Sequence, residues 1–278
     1  MRLFFVITSM RYLISAGPLL AIAWWRHGLA MPARDLLLAG LMGVSTFTLC
    51  PILMYWGVGL SRAADAAIIT ATEPLMVSLG ALFFLRERLD RRTALALATA
   101  FAGAAAISEF WKGSGGSVNP AGTLLISAGV FFEAAYSVIG KNLLRRHPPI
   151  KTTAVALGVA CAVNSAALTA LGWWPAAGAL GVSDWLLLSV YLALLCTIVG
   201  YTFWFVALKD DAAARVAITI FSQPVIGVLI AWIWVDETPT LAQGFGGAVI
   251  LAAVAIALGS KTRGAVDTDR AAAHDLLG

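Results

Sequence analysis

Residues 71–87 read ATEPLMVSLGALFFLRE, and residues 220–237 read IFSQPVIGVLIAWIWVDE. Each is an apolar run entered through a polar residue and a proline and closed by a glutamate. Pro74 pairs with Pro224 and Glu87 with Glu237, both at an offset of 150 residues. Working outward, Trp24, Trp25 and Asp35 return as Trp173, Trp174 and Asp184, at an offset of 149. One inserted residue separates two consistent registers, so the chain reads as two copies of one plan.

The 278 residues are 60% hydrophobic and only 12% charged, with a mean hydropathy of +0.86. A soluble domain carries about 25% charged residues. The composition therefore excludes a soluble enzyme, a disordered chain and a nucleic-acid binder. Nine runs are long enough to cross a hydrocarbon core, which takes about 20 apolar residues in helix. They fall near 3–25, 36–60, 63–85, 92–110, 121–141, 151–172, 184–208, 213–235 and 241–259. The polar stretch after Ser260 reads as a loosely ordered tail. The first run carries Arg11 in its middle and exceeds a signal-peptide core in length, so it reads as an uncleaved span. Cys50, Cys161 and Cys196 lie inside apolar runs and read as small, buried, reduced thiols.

Charge orients the bundle. The net charge of +4 sits in short clusters between spans. If loops alternate sides from Met1, one side receives fifteen of the nineteen Lys and Arg, including Arg86, Arg88, Arg91 and Arg92 and also Lys141, Arg145, Arg146 and Lys151. The other side has Arg2, Arg62 and Lys112, and Arg11 lies within the membrane. The positive-inside bias makes the basic side, and the C-terminus, cytoplasmic. RERLDRR (86–92) then lies inside and its counterpart DETPTLA (236–242) outside; RHGLAMPARD (26–35) and PAAGALGVSD (175–184) are opposed in the same way. Copies of opposite charge bias mark an inverted-repeat architecture. The expected divisions are a first repeat over 1–110, a second, inverted repeat over 121–259 and a cytoplasmic tail over 260–278. Subtracting 149 from the helix at 121–141 puts its partner before Met1. The first copy thus lacks an opening helix, either because the chain starts late or because that span is lost.

With its two echoing stretches, SRAADAAIITATEPLMVSLGALFFLRERL and DAAARVAITIFSQPVIGVLIAWIWVDETPT, the sequence resembles the EamA type of the drug/metabolite transporter superfamily. The resemblance runs from MRYLISAGPLL to AVILAAVAIAL. It implies an all-α, polytopic bundle of ten helices in two inverted five-helix repeats, of which this chain matches helices two to ten. It also implies an inner-membrane carrier of a small metabolite. The family commonly has Gly-Glu after the apolar run; here Arg86 and Asp236 replace the glycine.

Several intramembrane residues carry the chemistry. Pro74 and Pro224 each lack an N–H, which frees the carbonyls of Thr70 and Ile220. Interrupted helices at matching places in inverted halves point to a midplane site; a packing kink is the alternative. Just before the prolines stand Glu73 and Gln223. Thr70 shares a helix face with Glu73, and Thr219 shares one with Gln223. Glu73 reads equally as a structural hydrogen-bond acceptor. Glu133, followed by Tyr136 and Ser137, places a carboxyl, a phenol and a hydroxyl at mid-membrane, where the resembling family often has an apolar or aromatic residue. An ionisable group there is a functional candidate by default. It could bind a cation or proton, be bonded locally, or pair with Arg11. For Arg11 a structural pair or snorkelling is favoured. Tyr201 and Trp204 could wall a pocket or face lipid. Trp24, Trp25, Trp173 and Trp174 read as interfacial anchors, and Asp210-Asp211 as a helix N-cap.

No P-loop, G-x-S-x-G or H-E-x-x-H occurs, and no cofactor or metal is expected. The expected function is secondary transport of a small organic metabolite (amino-acid-like, amine or drug-like), outward, by alternating access. The expected partners are that substrate, the bilayer and protons or another ion; nucleic acid is not one. Other readings are an intramembrane enzyme on a lipid-linked substrate and a non-transporting sensor or assembly subunit.

Overall fold

A computed structural model describes residues 2–109, 119–174, 182–234 and 236–275, with side chains described as far as Leu258. Lys112 and residues 175–181 of PAAGALGVSD lie outside the described residues. Among those described, secondary structure is entirely helical. In chain order α1 is Arg2–His27, α2 Ala33–Val44, α3 Cys50–Leu60, α4 Ala63–Thr70, α5 Glu73–Phe84, α6 Arg91–Ser108 and α7 Pro120–Leu144. They are followed by α8 Pro149–Ala170, α9 Val182–Tyr191, α10 Tyr201–Asp210, α11 Ala213–Ile218, α12 Ser222–Trp234 and α13 Leu241–Asp275. Eight stretches are long and apolar enough to cross a membrane, by length and composition. The ninth expected span forms α6. It opens on Arg91-Arg92, and in a helix of 18 residues that pair keeps it below that apolar level. It packs along α13, where Gly103 and Gly246 approach so closely that a Cβ on either would meet the other's carbonyl oxygen, at 2.8 and 2.6 Å.

Two corrections concern helix continuity. The tail, expected to be loose, continues α13 to Asp275, consistent with its Ala, Lys and Arg content. The prolines do not sit mid-helix. α4 ends at Thr70, and α5 begins at Glu73 with Pro74 in its first turn. α11 passes through a 3₁₀ turn, Thr219–Phe221, into α12, whose third residue is Pro224. A first-turn N–H has no helical partner, so proline costs nothing there. Hydroxyls take up the carbonyls around each break. Thr70 and Thr72 donate to Ala66 O and Ile69 O, at 2.8 and 2.6 Å. Thr219 and Ser222 donate to Val216 O and Thr219 O, at 2.7 and 2.6 Å. In a bilayer such satisfaction is what lets an interrupted helix persist.

Two π-helical stretches interrupt other spans: Ser45–Leu49 between α2 and α3, and Leu192–Gly200 between α9 and α10. An offset of 149 carries the first onto 194–198, inside the second, and carries Thr48 onto Thr197. Each threonine is tied to a helix packed against its stretch. Thr48 donates to Asn164 Oδ1 on α8 (2.8 Å), and Thr197 Oγ1 accepts from Arg11 Nε on α1 (2.7 Å). Asn164 also donates to Phe47 O, at 3.1 Å. Around Phe47 lies an aromatic core: Tyr12, Tyr136 and Tyr201 stand at 5.0, 5.6 and 4.9 Å, and Phe205 stacks on Tyr136 at 4.8 Å.

The helix ends explain the resembling family's glycine. Arg86 and Asp236 have φ +56° and +57°, and the next N–H bonds six residues back: Glu87 to Ala81 O (3.1 Å), and Glu237 to Ala231 O (3.2 Å). This is a left-handed C-terminal cap, in which a residue with a Cβ is strained by roughly 1–2 kcal/mol. Arg86→Gly is expected to stabilise the protein by about 1 kcal/mol, read as a higher unfolding midpoint in detergent. A lowered midpoint would show that the arginine side chain outweighs the backbone strain.

At one end of the bundle, polar ties join both halves of the chain. Asp35, almost fully buried, accepts from Arg146 Nη1 (2.6 Å) and contacts His147 Nε2 (2.8 Å). Lys141 Nζ donates to the carbonyls of Leu208 (2.5 Å) and Asp211 and lies 3.8 Å from Glu87 Oε1. The expected Asp210-Asp211 cap is replaced. Asp211 accepts from Ala212 N and Arg215, at 2.8 and 2.7 Å, while the first N–H of α11, at Ala213, donates to Glu87 Oε2 (2.8 Å). A carboxylate from a distant helix end fills the capping role.

Candidate functional site

The two breaks, α7 and the second π stretch enclose a cavity of about 530 Å³. α7 contributes Val130, Glu133 and Ser137, one face at i, i+3 and i+7. From the first break come Thr70 and Glu73, and from the second Thr219, Ile220, Ser222 and Gln223. The π stretch and α10 add Cys196, Gly200, Tyr201 and Trp204; α1 adds Arg11, and α3 adds Cys50 and Met54. Glu73 occupies the first turn of α5, where the positive end of the helix dipole favours a carboxylate by about 0.3–1 kcal/mol. The break thus puts a helix N-terminus, which a continuous helix would have lacked, against the cavity.

Internal bonding leaves much of this lining uncommitted. Tyr201 Oη donates to Glu133 Oε1 at a long 3.4 Å, and Trp204 Nε1 donates to Ser137 Oγ at 3.2 Å. Glu73 accepts no hydrogen bond from any described residue, so the reading of it as a structural acceptor finds no partner. Arg11 faces the cavity and forms no ion pair with a described residue: its Nε bonds Thr197, and its guanidinium carbon lies 5.2 Å from the Tyr12 ring centre.

Of the residues singled out from sequence, Thr70, Glu73, Glu133, Ser137, Tyr201, Trp204 and Gln223 line one cavity, together with Arg11. Three do not. Tyr136 is buried between Phe47 and Phe205, and the reason is helical phase. On α7, Ser137 sits about 40° to one side of Glu133 and Tyr136 about 60° to the other, which turns Tyr136 into the aromatic core. Pro74 is buried beneath its break. Pro224 faces a separate cavity with Asp236, Glu237 and Thr240. The prolines make the breaks; their neighbours line the cavity. Cys196 is exposed, against the expectation of a buried thiol, because the π stretch turns it toward this space. Sequence reading missed Cys50, Cys196 and Ser222, since nothing in the residue string signals a π-helical phase shift.

At the helix ends Trp24 and Trp25 are exposed, Trp173 packs edge-on against Phe5 and Trp174 bonds Thr169 Oγ1 at 2.9 Å.

Comparison with known proteins gives a consistent picture. The model of the EamA-like transporter family matches residues 4–109 and 120–259. A probable terminal-alkyne amino-acid exporter of Streptantibioticus cattleyicolor is 27% identical over 251 residues, covering 89% of this chain and 79% of that protein. An uncharacterized transporter of Archaeoglobus fulgidus is 24% identical over 258 residues, covering 90% of this chain and 86% of its own length. A crystal structure at 20% identity superposes with a TM-score of 0.76 over 94% of this chain and 88% of the other, which shows a shared fold.

Proposed function

This chain belongs to the EamA-like transporter family, and from that premise we propose secondary transport of a small organic metabolite of amino-acid-like, amine or drug-like character, outward, by alternating access. The observation that carries the reading is the cavity between two helix breaks, lined by carboxyl, guanidinium, hydroxyl and aromatic groups inside a bundle of membrane-crossing helices. Its volume lies within the range of roughly 300–1,000 Å³ usual for small-molecule sites. Two inverted repeats, 1–110 and 121–259, would rock about it, with Pro74 and Pro224 setting the breaks. Matching π stretches, matching left-handed caps and matching breaks support that division. The amino-acid exporter among the relatives supports the amino-acid-like class and the outward direction.

The test is transport itself. Proteoliposomes loaded with a small-molecule extract should lose particular compounds faster than protein-free vesicles, read by mass spectrometry. Identical losses from both would sink the carrier reading and leave the enzyme and sensor readings standing.

The cell membrane, with the basic end of the bundle and the C-terminus cytoplasmic, is the proposed location. A reporter fused after Arg91 is expected to register as cytoplasmic, and one after Glu237 as external. The reverse pattern, or both on one side, would overturn the proposed inversion.

A further inference from the structure

We propose that the cavity's recognition element is a pair of carboxyls, Glu73 and Glu133, that seats a protonated amino group of the substrate, and that protons compete for the same place. The inference rests on the carrier reading and deepens it, because it names what the substrate must carry.

The first ground is charge. Among the described lining residues the carboxyl and guanidinium groups are Glu73, Glu133 and Arg11. Two carboxyls therefore face one guanidinium. That guanidinium is already anchored, bonded to Thr197 and set over Tyr12. The cavity thus holds acceptor capacity that its own cation does not use. The second ground is hydrogen bonding. An ionised carboxyl offers about four lone-pair sites. The Glu73 carboxyl accepts nothing from the described residues, and Glu133 is met by the long bond from Tyr201 and by the Cys50 thiol, a weak donor. Away from bulk water such groups need a cation or a proton. The third ground is the wall. Tyr201 and Trp204 stand one helical turn apart beside Glu133 and Ser137 and line the same cavity, and aromatic rings attract an ammonium.

Protons enter by the same logic. The groups facing Glu133 are Arg11 and Tyr12 on α1, Cys50 on α3, Glu73 on α5 and Tyr201 on α10, with Tyr136 on its own helix. A carboxyl facing another carboxyl exchanges a proton for an ammonium without changing the charge of the cavity. Release of the amine on one side and uptake of a proton there would couple the two gradients. Two substrate sources share this chemistry: a simple amine, and an amino acid whose carboxylate also engages Arg11.

Three probes sharing one phenyl ring separate these cases: phenethylamine (cation), phenylalanine (zwitterion) and 3-phenylpropionate (anion). Binding is measured by calorimetry on the purified full chain. Phenethylamine should bind saturably, weaken at least tenfold as pH falls through the carboxyl titration, and weaken at least tenfold in Glu73→Gln and in Glu133→Gln. Arg11→Gln should weaken phenylalanine but not phenethylamine if amino acids are the natural class, and should leave both unchanged if amines are. The anion should not displace either. The wild-type pH series needs no variant, so a poorly folding mutant leaves the test intact. The proposal is overturned if phenethylamine does not bind, if the anion displaces it, or if Glu73→Gln/Glu133→Gln retains its Kd within twofold. Saturable amine binding with no flux in proteoliposomes would instead sink the carrier reading and leave the carboxyl site standing.

Discussion

Glu133→Gln is expected to insert and fold as the unaltered chain does and to lose the pH dependence of transport, with the rate falling at least tenfold. Glutamine keeps the size of the side chain and can still meet Tyr201 Oη, so the 3.4 Å contact from α10 has a partner in the variant. What it removes is titration and negative charge, at a position on the cavity-lining face of α7 between Val130 and Ser137. Transport measured in proteoliposomes with and without an imposed pH gradient reads both effects. Glu133→Leu separates them from stability: removing a charge held away from water should raise the unfolding midpoint in detergent while abolishing transport. If Glu133→Gln transports at the unaltered rate and with the unaltered pH profile, the carboxyl is structural. Glu73→Gln falls in the same class as Glu133→Gln, because the Glu73 carboxyl has no hydrogen bond to serve among the described residues.

Gly43→Ala is expected to abolish recovery of folded protein, although alanine is the better helix former. α2 crosses α8 so closely that a Cβ on Gly43 would overlap the carbonyl oxygen of Ala156. Backbone cannot rotate away as the end of a long side chain can. Overpacking in a close-packed core costs about 1–3 kcal/mol, and here two spans would have to separate along their length. The contrast is Gly227 in α12, where a Cβ would meet nothing within 4 Å. Gly227→Ala should be neutral or stabilising by about 0.5–1 kcal/mol. Size-exclusion profiles and detergent unfolding midpoints of the two variants check the pair. Equal behaviour would contradict so close an α2–α8 crossing.

Much of this architecture was legible in the sequence because the membrane imposes simple demands. An apolar run of the right length must be a helix, so the spans could be marked; the alanine-rich α6 behind Arg91-Arg92 was the marginal one. The residues flanking the two prolines were legible as a pair, and they meet across one cavity. Phase was less legible. A spacing of three or four residues reads as one face, yet at Glu133 the third residue, Tyr136, turns to the core while the fourth, Ser137, turns to the cavity. The π stretches left no trace in residue type, so the inward turn of Cys196 could not be foreseen. Nor could Glu87 capping Ala213, since that bond joins residues 126 apart. The glycine missing at Arg86 and Asp236 was visible as a departure, but its meaning, a left-handed cap, needed φ.

The central claim is that one cavity opens to each side of the membrane in turn. Cys196 is exposed within that cavity, whereas Cys50 and Cys161 are buried. A chain carrying Cys50→Ala and Cys161→Ala therefore holds a single reporter thiol. Labelling it with a membrane-impermeant maleimide in right-side-out and in inside-out vesicles asks the question directly. Alternating access predicts labelling from both faces, slowed in each by a saturating concentration of the transported compound. Labelling from one face alone, under every condition, would contradict it.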